Sequence, residues 1–450
     1  MKGLFVALCT FLFVPAIAQF TVSPNGHYVL RDGKDFFWLG DTGWELFHRL
    51  TREEADLYLE TRHKQGFTVI QAVILAEFDG LHSPNAYGDL PLLNDDPAMP
   101  NENYFRHVDY IIDKAAAEEL VIGLLPTWGD KVTLAWGKGP LVFTPENARV
   151  YGRWLANRYR NKKNIIWILG GDRNPSLEAE FAIWRSMAAG IQEGIGDRGK
   201  ALISYHPQPN ERGSGQYFYS ESWFSFNMFQ NGHCRNGQGY EKIFASWQRN
   251  PPKPVIDGEP IYEDHPVCFN VKDLGTSSAY DVRQYAYLDL FAGAFGHTYG
   301  CHDIWQFYSD NHDAINGPHV YWTEAMNLPG ASQMKYVRRL MESHGPLTER
   351  IPDPGLVVEN NLAPGERIQA TRGKDYLFVY TAAGRSFTVM LGKISGKFLN
   401  VYWFNPRNGE LKADARVENS GTKIFKPPTS GYGQDWILVM DDTEKNYPLF

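Results

Sequence analysis

Two kinds of apolar segment alternate between residues 36 and 343. The first kind is short and apolar at nearly every position: Phe36-Phe-Trp-Leu-Gly-Asp41, Phe67 to Leu75, Val121 to Trp128, and Asn164-Ile-Ile-Trp-Ile-Leu-Gly-Gly-Asp172, which places the end of strand four at Asp172. Runs of this length without a polar face predict strands covered on both sides, as a parallel sheet requires. The second kind spaces its apolar residues three and four apart, as in Ala55, Tyr58 and Leu59, and again in Val108, Ile111, Ile112 and Ala115. That spacing predicts helices. Thr51 with Glu54 reads as a capping box for the first of them, which Gly66 closes, and Thr144-Pro145 opens another. The alternation continues with strands at Ala201 to His206, Ser225 to Gln230, Pro254 to Glu259 and His297 to Trp305, and a last helix from Ala331 to Ser343. Eight strand–helix units in about 300 residues predict an α/β fold of the (β/α)8 (TIM) barrel type.

The pattern changes after Pro354. Helical spacing gives way to alternating runs such as Tyr376 to Tyr380, Phe387 to Met390 and Trp436 to Val439, with Asn408-Gly409 as a hairpin-turn signal. This predicts a small C-terminal antiparallel β-sandwich. Tyr402, Trp403 and Tyr432 are its candidate glycan contacts, against a purely supporting role for the domain. The expected division is 1–18, 19–350 and 351–450.

Residues 1–18 read as a signal peptide. Lys2 gives the positive start, Leu4 to Phe13 the apolar stretch, and Ala16-Ile-Ala18 a cleavage site. The stretch is too short to span a bilayer, so an exported protein, periplasmic or extracellular, is expected rather than a membrane-spanning one. A net charge of −8 over 450 residues, without a Lys/Arg block, argues against nucleic acid as a partner. Beyond Cys9 in the leader, Cys234, Cys268 and Cys301 allow at most one internal disulfide. No zinc-type spacing, phosphate-binding loop, dinucleotide fingerprint or nucleophile elbow is present. His302, Asp303, His312 and Asp313 are read as hydrogen-bonding groups, so no metal and no organic cofactor is expected. Nothing in the chain specifies a subunit number.

The chemistry rests on two carboxylates, Asp172 and Glu259, each placed just past a buried strand. The rim at the C-terminal ends of barrel strands is where such folds carry their active sites, and a glycosidic bond is broken by a pair of carboxyl groups. Alternation puts Ile166, Ile168, Gly170 and Asp172 on one face, with the glycines expected to leave open space beneath the carboxylate. Val255, Asp257 and Glu259 share a face in strand seven, with Asp257 deeper as a supporting group. Asp172 is assigned as acid/base and Glu259 as nucleophile, which at about 5–5.5 Å separation gives retention of configuration. The competing reading of each is a surface carboxylate or, for Asp172, a cap on the following helix.

The runs Phe37-Trp-Leu-Gly-Asp-Thr-Gly-Trp-Glu-Leu-Phe47, Ile168-Leu-Gly-Gly-Asp172 and Asp257-Gly-Glu259-Pro resemble the apiosidase-like glycoside hydrolases of family 140, formerly domain of unknown function 4038. The similarity spans roughly residues 20 to 350, and the tail resembles the collagen-binding-type β-domain carried by that family. The resemblance implies a (β/α)8 barrel acting on apiose linkages of the pectin rhamnogalacturonan II, with the family's acid/base Asp at Asp172 and its nucleophile Glu at Glu259.

Other strand-end residues are expected to complete a substrate pocket: Asp41 and Trp44 after strand one, Trp128 and Asp130 after strand three, His206 after strand five, Gln230 after strand six and Trp305 after strand eight. The leading reading is an exported retaining glycosidase taking an oligosaccharide or polysaccharide of the plant cell wall. Against it stand a barrel that binds glycan without turnover and a matrix-adhesion protein acting through its tail.

Overall fold

The computed structural model describes residues 20–196, 201–359 and 362–448. The expected signal peptide lies outside the described residues. Among these residues no helix is long and apolar enough to cross a membrane.

The eight barrel strands are Trp38–Thr42, Val69–Leu75, Val121–Thr127, Ile165–Gly170, Ile203–His206, Asn227–Gln230, Val255–Glu259 and Gly296–Tyr299. Strands eight, one, two, three, four and five pair in that order as one parallel sheet, and strands six and seven pair separately, also in parallel. Two junctions close the ring. The amide of Ser225 donates to the Ile203 carbonyl at 2.8 Å between strands five and six, and that of Phe295 to the Val255 carbonyl at 3.0 Å between strands seven and eight. Every residue of strands two and three is buried, which fits their unbroken apolar sequence.

Helix starts follow the chemistry of their caps. The Thr51 hydroxyl accepts from the Glu54 amide at 3.2 Å while the Glu54 carboxylate accepts from the Thr51 amide at 2.8 Å, opening the helix Arg52–Lys64. Thr144 and Asn147 do the same for Pro145–Tyr159, with the proline in the first turn. Two expectations shift. Strand eight ends at Tyr299, and Trp305 lies on the short helix His302–Trp305 beyond it. Strand four ends at Gly170, so Asp172 stands in the turn rather than in the pleat.

The tail is an antiparallel sheet faced by a two-stranded one. Its strand Tyr376–Thr381 is buried on both faces, although it alternates in sequence. Tyr376, Phe378 and Tyr380 join the barrel's core, whereas Leu377 and Val379 join the tail's own core. The barrel helix Ala279–Phe291 supplies the opposing surface: Tyr287 stacks on Tyr380 with centroids 5.2 Å apart, and the Tyr280 hydroxyl donates to the Ala382 carbonyl at 3.0 Å. Trp403 is buried inside the tail and offers no glycan platform, whereas Tyr432 is 69% exposed and meets Tyr280 only edge-on. Buried within the same contact, the Arg283 guanidinium grips the Asp435 carboxylate at 2.8 and 3.1 Å.

Candidate active site

The turn after strand four is built from three consecutive residues in left-handed backbone, Gly170, Gly171 and Asp172, with φ of 83°, 119° and 49°. For Asp172 that conformation costs about 1–2 kcal/mol, and such strain gathers at functional sites. The glycines are required for close approach rather than for open space. A Cβ on Gly170 would sit 2.4 Å from the His206 carbonyl oxygen, and one on Gly171 would sit 2.8 Å from the Trp128 ring. The next helix begins at Glu178, and the amides of Ser176 and Leu177 just before it donate to the Glu180 carboxylate, so Asp172 is not its cap.

Glu259 owes its direction to a register break. Strand seven shifts against strand six between Asp257 and Glu259, and irregularities of this kind re-aim side chains beside active sites. Asp257 lies beneath, buried, accepting from the Glu259 amide at 3.2 Å and from the Asn231 side chain at 2.7 Å. Burial pushes the Asp257 carboxyl up to about 7.

Asp172 and Glu259 face one cleft of about 400 Å³, within the usual range for small-molecule sites. Its walls include Trp44, Trp128, Trp136, Tyr262, Phe269 and Trp305, with Gln230 and Glu77 among the polar groups. The two carboxyls are electrostatically opposite. Burial, and then the charges of Glu259 and Glu77, drive the Asp172 carboxyl well above the ordinary carboxylate range, against a weaker pull from Arg173. Burial also works to raise Glu259. It is outweighed by His206, whose Nε2 lies 3.0 Å from Oε2 and off the ideal hydrogen-bond axis, and by His233, whose Nε2 lies 3.3 Å from Oε1. Their net effect holds Glu259 well below its ordinary value. His206 also reaches the other side, its Nδ1 accepting from the Asp172 amide at 3.2 Å.

The structure separates the expected pocket residues into two groups. Trp44, Trp128, Gln230 and Trp305 line the cleft. Trp44 is fixed there by donation from its indole to the Tyr262 hydroxyl at 2.9 Å and by edge contact with Trp128 at 5.3 Å. Asp41, Asp130 and His206 are fully buried below it. Asp41 accepts from the Tyr58 hydroxyl at 2.5 Å and from Arg62 at 2.6 Å, and Asp130 pairs with Lys131 at 2.8 Å. These two are therefore corrected from sugar-binding to structural roles. His206 does not line the cleft and instead contacts the Asp172 amide and the Glu259 carboxylate.

Sequence reasoning did not find several cleft residues. Glu77 follows strand two and is held by Arg173 at 2.7 Å, and Arg173 in turn lies 3.8 Å from the centroid of the Trp136 ring. Tyr262, His233, His265 and Phe269 come from the loops after strands six and seven, which a Cys234–Cys268 disulfide joins. The apolar periodicity that located the strands says nothing about such loops; the cysteines were the one available signal, and their pairing was left open.

Among groups that could hold a cation, Asp264, Asp303 and His319 bring ligand atoms within 4.8 Å of one another. The Asp303 carboxylate already accepts from the amides of His319 and Val320 at 3.1 and 3.2 Å. The carboxyl chemistry of the cleft calls for no metal.

A pair of carboxyls facing one cleft in a barrel rim agrees with what the chain is similar to. Its residues 351–441 match the family model described as "Putative collagen-binding domain of a collagenase". A solved structure titled glycoside hydrolase is 35% identical, covering 96% of this chain and 98% of its own, with a TM-score of 0.87. A family 5 glycoside hydrolase from Bacteroides vulgatus is 34% identical over 96% of this chain and 94% of its own, with a TM-score of 0.88. No curated protein matches the chain. Residues 23–348 match the family model "Apiosidase-like, catalytic domain", and with that span the chain belongs to the apiosidase-like glycoside hydrolases.

Proposed function

We propose that the protein is an exported retaining glycosidase in which Asp172 is the general acid/base and Glu259 the nucleophile. One observation carries the assignment: two carboxyls in one cleft are pushed in opposite directions, Asp172 toward its protonated form and Glu259 toward its ionised form. That split is the division of labour glycoside hydrolysis requires. In the first step an oxygen of Glu259 bonds to the anomeric carbon while the glycosidic C–O bond breaks, and the Asp172 proton passes to the departing oxygen. In the second, Asp172 takes a proton from water as that water displaces Glu259.

The sugar held beside the carboxylates is neutral. Asp172, Glu77 and Glu259 line the cleft, and no Lys or Arg is among its lining residues to receive a uronate. Apiose, implied by the family resemblance, is such a sugar, and the substrate class is plant cell-wall pectin carrying it. Export is supported by the Cys234–Cys268 disulfide, a bond that persists in oxidising compartments.

The test is hydrolysis of rhamnogalacturonan II fragments by wild type, Asp172→Ala and Glu259→Ala, followed by chromatography of released sugars and proton NMR of the first anomer. Release of an apiose-terminated product with retained configuration by wild type alone is expected. Inverted configuration removes the nucleophile role, and undiminished release by both variants removes the residue assignment.

A further inference from the structure

The loops after strands six and seven are joined at one point beside the cleft. The Cα atoms of Cys234 and Cys268 are 4.6 Å apart across their disulfide. The chain neighbours of these cysteines, His233 and Phe269, both line the cleft. His233 has little support from its own segment. Gly232 before it has φ of 75° with open space around it, and the His233 Nδ1 atom is buried without a partner.

What holds the imidazole comes from the strand-seven loop. The Cys268 amide donates to the His233 carbonyl at 2.8 Å. His265 stacks on the ring with centroids 4.1 Å apart at 28°, and Tyr262 leans on it at 4.6 Å. Strands six and seven themselves pair over only three residue pairs before their register breaks. Cys268 and Phe269 both adopt left-handed backbone, with φ of 50° and 60°, which a free loop of L residues disfavours. The crosslink therefore fixes the one loop on which the placement of His233 depends.

We propose that the Cys234–Cys268 disulfide serves the active site by pinning His233 against Glu259, which makes His233 a positioning residue for the nucleophile. This inference rests on the reading of Glu259 as nucleophile. His206 and His233 each lie against one oxygen of that carboxylate, so losing either removes a contact that favours its ionised form and shifts it toward the protonated, unreactive carboxyl. The other ionisable groups facing Glu259 are Tyr262 on its own loop, Asp257 on its own strand and Asp172 across the cleft. Behind His233 stand His265 and then His302, both kept neutral by burial.

The test compares kcat/KM against pH for wild type, Cys234→Ser/Cys268→Ser, His233→Ala and the three changes combined. Opening the disulfide is expected to move the acid limb up by about one pH unit and to lower kcat/KM below that limb roughly tenfold, with KM nearly constant. If the crosslink acts through His233, the combined variant loses no more kcat/KM than His233→Ala alone. Native enzyme reduced with dithiothreitol and alkylated must show the same limb shift, which covers the case of a Ser variant that fails to fold. An acid limb that stays in place while only the melting temperature falls overturns the proposal, as do losses that multiply in the combined variant. The underlying reading fails separately, if Glu259→Ala retains turnover.

Discussion

Replacing Asp435 by alanine tests whether the tail and the barrel are one cooperative body. Asp435 is fully buried, and its two oxygens accept from Arg283 at 2.8 and 3.1 Å and from the Tyr380 hydroxyl at 3.3 Å. Arg283 is itself almost fully buried, and its remaining partner is the Gln333 side chain at 2.5 Å. Removing the carboxylate strands this cation away from water, a loss of about 3–5 kcal/mol in buried pairs of this kind. With an unfolding entropy of about 2 cal/mol/K per residue, roughly 430 residues melting together turn about 4 kcal/mol into about a 4 °C fall in Tm. A roughly 90-residue tail melting alone would shift by about 20 °C in a separate transition. Scanning calorimetry distinguishes the two, and the shared core of Tyr287, Tyr380, Phe378 and Phe291 predicts a single transition with the small shift. The double replacement Arg283→Met/Asp435→Leu is expected to recover most of the loss, because the buried cation goes with its carboxylate and Arg407, the second cation on Asp435, keeps the carbonyls of residues 433 and 435. A double variant as unstable as the single one, or a single one with unchanged Tm, refutes the reasoning.

The raised carboxyl of Asp172 works against folding at neutral pH, because the unfolded chain ionises there more easily than the native one. Below the unfolded value of 3.8 both states are protonated and the cost vanishes. Asp172→Asn should therefore abolish turnover yet raise Tm at pH 7, with the gain disappearing toward pH 3.8; thermal melts across pH check this, and a lower Tm at pH 7 would count against the burial argument. The wild-type kcat/KM profile should be a bell whose acid limb lies below the ordinary glutamate value of 4.5 and whose alkaline limb lies above the carboxylate range. Glu77→Gln removes one of the charges that raise Asp172, so its alkaline limb should move to lower pH; a limb moving upward would show that Glu77 acts otherwise.

Barrel and tail were legible in the sequence because periodicity reports burial directly. Each strand from Trp38–Thr42 to Gly296–Tyr299 falls within or beside its expected run, and Thr51 and Glu54 form the capping box that their spacing announced. The site was legible only as far as position along a strand decides it. A carboxylate at a strand end is near the rim, but the sequence does not say whether it points into the cleft, as Glu259 does, or beneath it, as Asp41 does. Arg62 makes that decision for Asp41, and its approach is a contact 21 residues distant in the chain. The turn that aims Asp172 was equally hidden, since Gly170 and Gly171 read as empty space where they make room for His206 and Trp128. The wall formed by His233, Tyr262, His265 and Phe269 has no period at all.

The carboxylates near the barrel rim differ in what neutralises them, and that difference separates scaffold from chemistry. Asp41 has Arg62 at 2.6 Å, Asp130 has Lys131 at 2.8 Å, and Glu77 has Arg173 at 2.7 Å. Each of these carboxylates sits against a Lys or Arg of its own. Asp172 has only the far edge of Arg173, 3.7 Å away and engaged by Glu77 and the Trp136 carbonyl. Glu259 has two imidazoles, His206 at 3.0 Å and His233 at 3.3 Å, and no Lys or Arg. Among the described residues, Asp257 and Asp303 also have no Lys or Arg, but neither lines the cleft, and Asp257 lies buried beneath it. In the proposed mechanism a proton moves on and off Asp172, and a bond forms and breaks at Glu259. A barrel strand end with an acidic residue is a weak signal, but an acidic residue that lines the cleft without its own Lys or Arg is a stronger one.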